Sequence, residues 1–125
     1  MSTDGANRRK YARLDLALTV SYAPLDSSGM PTDPREALSS DLSAGGLRLM
    51  MPTQSHMGAQ LDLMIYLEGN DDNPVKATGE VLWQNKISPT SFETGVAIRS
   101  MPDPDKRRFM EFVFDQMTKV VTHAK

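Results

Sequence analysis

The sequence predicts an all-β fold: a six-stranded antiparallel β-barrel with one long C-terminal α-helix. Three observations carry that reading. Apolar and polar residues alternate in six short stretches of the 125-residue chain, the period of a strand with one buried face. Clusters of Gly, Pro, Ser, Asn and Asp separate those stretches. Beyond Met101 the period changes, and Phe109, Phe112, Val113, Met117 and Val120 recur at helical spacing. Closing six strands into a barrel also removes the unpaired edges that an open sheet would expose.

The elements follow in order. Met1 to Ala6 is small and polar, the composition of a mobile tail. Leu14, Leu16, Leu18, Val20 and Tyr22 alternate with polar or small residues and predict the first strand. Pro24 to Pro34 reads as a long hairpin loop. Arg35 to Ser43 is the second strand and Gly46 to Met51 the third, with Pro52 to Ala59 a connection in which His56 is a solvated loop residue. Leu61, Leu63, Ile65 and Leu67 form the fourth. Gly69 to Pro74 is turn chemistry, without the later bidentate Glu that a calcium loop needs. Val75, Ala77, Gly79, Val81 and Trp83 share one phase of the fifth strand, and Gly79 marks a bulge or bend. Asn85 to Ser91 reads as a loop and Phe92 to Arg99 as the sixth strand. Asp103 is a good N-cap and Pro104 suits the first helical position, so the helix runs from about Pro104 to Thr122, roughly 28 Å long. Met110, Phe114 and Val121 widen its apolar stripe beyond what one seam needs.

The chain thus divides into a flexible tail at 1–7, a barrel domain at 8–101 that includes a basic N-terminal arm, and a helix at 102–125 packed on the barrel. A net charge of −2 makes the whole chain a poor general polyanion binder, so basic charge gathered in one place stands out. Without cysteine there is neither a disulfide framework nor a thiolate metal site. No apolar run approaches a membrane span and the N-terminus lacks the pattern of a signal peptide, so a cytoplasmic protein without membrane insertion is expected. His56 and His123 lie far apart, which leaves no metal site and no Ser-His pair.

Two stretches hold the candidate chemistry. In Ser39 to Leu49, Asp41 and Ser43 share a face two residues apart, and Gly45 and Gly46 follow where backbone can bend and be approached closely. A carboxylate and a hydroxyl beside bare backbone suit a ligand rich in hydrogen-bond donors. By themselves they better suit a plain polar turn with a local Asx-type bond, since short D-x-S patterns are common. No histidine is near to activate Ser43 as a nucleophile. The second stretch is Asn7 to Arg13, where Arg8, Arg9, Lys10 and Arg13 precede the first strand and Tyr11 lies among them.

Together the two stretches resemble the PilZ domain family, bacterial receptors for the second messenger cyclic di-GMP. Arg9 and Arg13 match the family's RxxxR motif. Asp41, Ser43 and Gly46 match its [D/N]xSxxG motif, in family order and with family-like separation. Gly79-Glu80-Val81-Leu82-Trp83 and Gly95-Val96-Ala97-Ile98 match two later family segments, so the likeness runs from about Arg8 to Arg99. It implies a PilZ-like barrel and a non-enzymatic, cytoplasmic role in signal transduction. The ligand would be cyclic di-GMP, with no cofactor or metal, and the signal would pass to a protein effector.

It also implies residue roles. Arg9 and Arg13 would grip phosphates and guanine edges, since guanidinium is a planar fork of donors that also stacks. Asp41 would accept from guanine N1–H and N2–H, Ser43 would add a hydroxyl, and Gly45 and Gly46 would keep backbone clear of the base. Arg8, just before RxxxR, would stack on a further guanine and favour a stacked ligand dimer. Lys10, Arg48 and Trp83 are further candidates. Arg48 points outward if Leu47 and Leu49 point in, whereas the phase of Trp83 with Val81 and Val75 favours the core. Ordering of the arm on binding would be the signal. The rival readings are a small-barrel binder of single-stranded nucleic acid, a PilZ-like module that docks to protein without ligand, and an enzyme. Monomer and weak homodimer through the helix are both compatible with its wide apolar stripe, and no DNA partner is expected.

Overall fold

The computed structural model describes residues 17–43, 45–67 and 73–123, with side chains through 118. Six strands, β1 (Thr19–Pro24), β2 (Arg35–Ser43), β3 (Gly46–Met51), β4 (Gln60–Ile65), β5 (Val75–Ser88) and β6 (Ser91–Ser100), precede one helix, α1 (Asp103–His123). The strands close into a barrel in the order β1-β2-β3-β6-β5-β4, every neighbouring pair antiparallel. No helix among the described residues is long and apolar enough to cross a membrane.

Alternation builds the core. Val20 and Tyr22 from β1, Leu47, Leu49 and Met51 from β3, and Leu61, Leu63 and Ile65 from β4 all point inward and are almost wholly buried. Phe109 and Val113 of α1 complete the same cluster, with Phe112 and Met117 packed against it. The helix therefore closes one end of the barrel. Asp105 fixes its first turn: the Lys76 amide donates to Oδ2 at 3.1 Å, and Arg108 Nη2 donates to Oδ1 at 3.0 Å. Arg108 also reaches the carbonyls of Asn73 and Pro74, so one guanidinium ties the helix to the start of β5. On the opposite face of α1, Met110 and Phe114 are exposed.

Several expectations change. The first strand begins at Thr19 among the described residues; Leu14 and Leu16 lie outside them, while Leu18, Val20 and Tyr22 are buried in the predicted phase. Gly69 to Asp72 of the predicted acidic turn also lie outside the described residues, as do the side chains of Val120 and Val121. The helix starts at Asp103 rather than Pro104, and its first-turn bond runs from the Lys106 amide to Pro102 O. Asn85 to Ser88 is strand, not loop: β5 pairs with β6 as far as Ser88↔Ser91. The polar composition misleads there because a ladder needs backbone donors and acceptors, not apolar side chains. Gln84 stays at the barrel end because its amide is satisfied. It donates to Thr94 Oγ1 at 2.8 Å and Thr53 O at 3.3 Å, and accepts from the Ser55 amide at 2.8 Å.

Candidate functional site

The hairpin from β2 to β3 ends in the pair Ser43↔Gly46, as the polar, glycine-bearing stretch predicts. Two residues below it, Asp41 lies opposite Arg48, Arg48 opposite Gly95, and Gly95 opposite Trp83. These four residues form a row across β2, β3, β6 and β5 on the outer face of the barrel. The adjacent row, Leu42, Leu47, Val96 and Val81, points inward and is buried.

Two bulges set the outer row. On β2 the register steps between Ser39 and Asp41, so Ser40 is the extra residue and Ser39 and Leu42 both face the core. On β5 the register steps between Val81 and Trp83, with Leu82 the extra residue. Leu82 is therefore exposed, and Trp83 turns outward instead of following Val81 into the core. The expected core placement of Trp83 is thereby corrected. A Cβ on Gly95 would collide with indole atoms Nε1, Cε2 and Cζ2, so the absent side chain lets the ring lie against β6. Gly46 has a similar reason: a Cβ there would press into the Val96 carbonyl, so glycine lets β3 approach β6.

Arg48 is the electrostatic centre. Its Nη1 donates to Glu93 Oε2 at 3.1 Å, its Nη2 lies 3.4 Å from Asp41 Oδ2, and its guanidinium carbon sits 5.9 Å from the Trp83 ring centroid. That last distance lies within the range of a cation–π contact. Ser43 Oγ makes a long bond to the Gly46 carbonyl at 3.4 Å, weak enough to exchange for a better partner. Asp41, Ser43, Arg48, Leu82 and Trp83 border a shallow depression of about 160 Å³ floored by Gly46 and Gly95. A closed small-molecule pocket holds roughly 300–1,000 Å³, so this depression by itself is an open surface rather than an enclosing pocket. Gly45 lies elsewhere, in a cleft of about 620 Å³ with Ile98, Lys106 and Met110, its carbonyl accepting from the Ile98 amide.

The structure thus gathers Asp41, Ser43, Gly46, Arg48 and Trp83 and sets Gly45 to one side. Arg8, Arg9, Lys10, Tyr11 and Arg13 lie outside the described residues. Glu93 and Gly95 are the site residues that sequence reasoning missed. Glu93 reaches Arg48 across 45 positions, a pairing no local pattern announces. Gly95 stood within a recognised segment, but its contact with Trp83 depends on the bulge. No cluster of three metal-ligating side chains occurs among the described residues.

A family model described as PilZ domain matches residues 7–115. No curated protein matches the sequence. Among solved structures, the Bacillus subtilis inhibitor of motility MotI/DgrA superposes with a TM-score of 0.71 at 19% identity, over 90% of this chain and 52% of that one. The PilZ domain of YcgR from Escherichia coli, solved with c-di-GMP, gives 0.64 at 12% identity, over 94% and 97%. The K. pneumonia MrkH–c-di-GMP complex gives 0.63 at 16%, over 90% and 53%. The chain spans about half the length of MotI/DgrA and MrkH, and at these identities the likeness establishes the fold.

Proposed function

The chain belongs to the PilZ domain family, and from that premise we propose that it is a receptor for cyclic di-GMP that relays binding to a protein partner. The observation that carries this reading is the hairpin face, where the Asp41 carboxylate and the Ser43 hydroxyl border the same depression as the half-buried Trp83 ring. Asp41 accepts the N1–H and N2–H of one guanine, a donor pair that adenine lacks. Ser43 exchanges its long bond to Gly46 for a ligand acceptor. Trp83, lying flat against Gly95, offers an aromatic face to a base at the margin of the platform.

The shallow platform leaves the phosphates to another element, and the basic stretch Arg8 to Arg13 is the part of the chain with the chemistry to hold them. Arg9 and Arg13 bind phosphate and guanine edges, and Arg8 stacks on a second ligand in a paired arrangement. Drawing that stretch over the platform changes the surface offered to an effector, which is how a protein with this barrel passes on the signal. The roles of Lys10 and Gly45 are secondary, since Gly45 lines the cleft beside α1.

Calorimetric titration with cyclic di-GMP tests the reading, with GTP and cyclic di-AMP as controls. Wild-type protein is expected to bind cyclic di-GMP alone, and Arg9→Ala to lose most of the affinity. Absence of heat with wild-type protein, or equal binding by both proteins, refutes it. Affinity for single-stranded oligonucleotides that collapses with added salt points instead to a nucleic-acid binder.

A further inference from the structure

Arg48 occupies the carboxylate that the proposed ligand needs. The Watson–Crick edge of guanine is itself a guanidine, with N1 and N2 on one carbon and their hydrogens pointing the same way. An arginine beside Asp41 carries donors of the same kind as the base, and here one of them, Nη2, lies against the carboxylate at 3.4 Å. We infer that Arg48 is the specificity gate of the site: it holds the place of guanine on Asp41 in the empty protein and is left to Glu93, its tighter partner, when the base arrives. The inference rests on the cyclic di-GMP reading above and adds a residue role that the family motifs do not contain.

The geometry favours a hand-over rather than a simple blockade. Arg48 is gripped unequally, by a hydrogen bond of 3.1 Å to Glu93 and a looser ion pair of 3.4 Å to Asp41. The Asp41 contact is longer than a charge-assisted hydrogen bond and is the weaker end. A base that offers two aligned donors to Asp41 displaces one guanidinium nitrogen while the other keeps its carboxylate. The displaced charge stays close to Trp83, already 5.9 Å from its guanidinium carbon. It therefore remains partnered. Glu93 makes the exchange reversible, because without it Arg48 would keep Asp41 as its one ion-pair partner among the described residues and would hold it more closely.

Such a gate also explains selectivity. A weak or single donor does not dislodge Arg48, whereas the paired donors of guanine do. Adenine, which shows an acceptor at N1, leaves Asp41 with Arg48.

The chain's single tryptophan reports the exchange directly. Cyclic di-GMP titrations followed by Trp83 emission and by calorimetry are carried out on wild type, Glu93→Gln, Arg48→Gln and the double variant. Arg48 and Glu93 lie on the outer face, so neither substitution opens the core. Glu93→Gln is expected to weaken binding about three- to tenfold in the presence of Arg48 and by less than about twofold in the Arg48→Gln background, the non-additivity of residues acting through each other. No loss, a gain, or the same loss in both backgrounds overturns the gate while leaving the receptor reading intact. Wild-type protein that fails to respond to cyclic di-GMP overturns both.

Discussion

Gly95→Ala isolates the outer face from the motifs. The added Cβ would occupy the space of indole atoms Nε1, Cε2 and Cζ2, so the ring must lift from β6. Lifting it exposes one ring face, roughly 60 Å² of apolar surface, which at about 25 cal/mol/Å² costs about 1.5 kcal/mol. Loss of the Arg48 contact adds about 0.5–1 kcal/mol. Replacing glycine by alanine within a strand returns roughly 0.5–1 kcal/mol of backbone entropy. The net destabilisation is therefore about 1.5 kcal/mol, a shift of roughly 5 °C in Tm for a chain of this size. Urea denaturation followed by Trp83 emission measures both consequences at once. Emission of the native state is expected to move to longer wavelength as the ring enters water. Unchanged emission, with stability within about 0.5 kcal/mol of wild type, would show that Trp83 does not rest on Gly95.

Other expectations follow from burial and charge. Phe109 is 1% exposed and Phe114 73% exposed on the same helix. Phe109→Ala should therefore lower the unfolding free energy by about 3–5 kcal/mol, and Phe114→Ala should leave it within about 0.5 kcal/mol, both read by urea titration. Ser39→Ala removes the hydroxyl that accepts from the buried Leu18 amide at 3.0 Å, and should destabilise by about 1–3 kcal/mol in the same assay. The Asp105 carboxyl is held below the ordinary aspartate range, first by the Arg108 side chain and then by the Lys76 amide. A depressed folded value favours the charged form in the fold. Its stabilisation is complete above the unfolded value near pH 4 and is lost as pH falls through the folded one. The Tm gap between wild type and Asp105→Asn should therefore narrow on acidification below about pH 4; a gap that widens there contradicts the assignment.

The β2–β3 hairpin was legible to the residue because its signals are local. Two glycines mark the corner and clean alternation resumes at Leu47 and Leu49, so Arg35–Ser43 and Gly46–Met51 match the expected spans. Trp83 was not legible because a bulge leaves no compositional mark. Leu82 is apolar, and counting it as an ordinary strand residue carries Trp83 into the core. The polar end of β5 was hidden for the reverse reason, since Gln84 faces the barrel end with its amide bonded rather than an apolar group. Glu93 was invisible because cross-strand neighbours are set by register over the whole sheet.

The same bulges explain why the candidate site lies on the outside of this barrel. The interior opposite the site is filled: Leu42, Leu47, Val96 and Val81 form a buried row directly beneath Asp41, Arg48, Gly95 and Trp83. Nothing of ligand size can enter a close-packed interior without displacing several side chains together. Strict alternation from Val81 would turn Trp83 inward, toward that filled space. The extra residue on β5 turns it outward, and the one on β2 lets Ser39 and Leu42 both face the core while Asp41 faces out. Two insertions, each with an exposed extra residue, thus place an aromatic ring and a carboxylate at opposite ends of one outward-facing row. Arg48 stands between them because β3 lies between β2 and β6. A barrel of uninterrupted alternation would have packed its single tryptophan and left Asp41 without its aromatic counterpart.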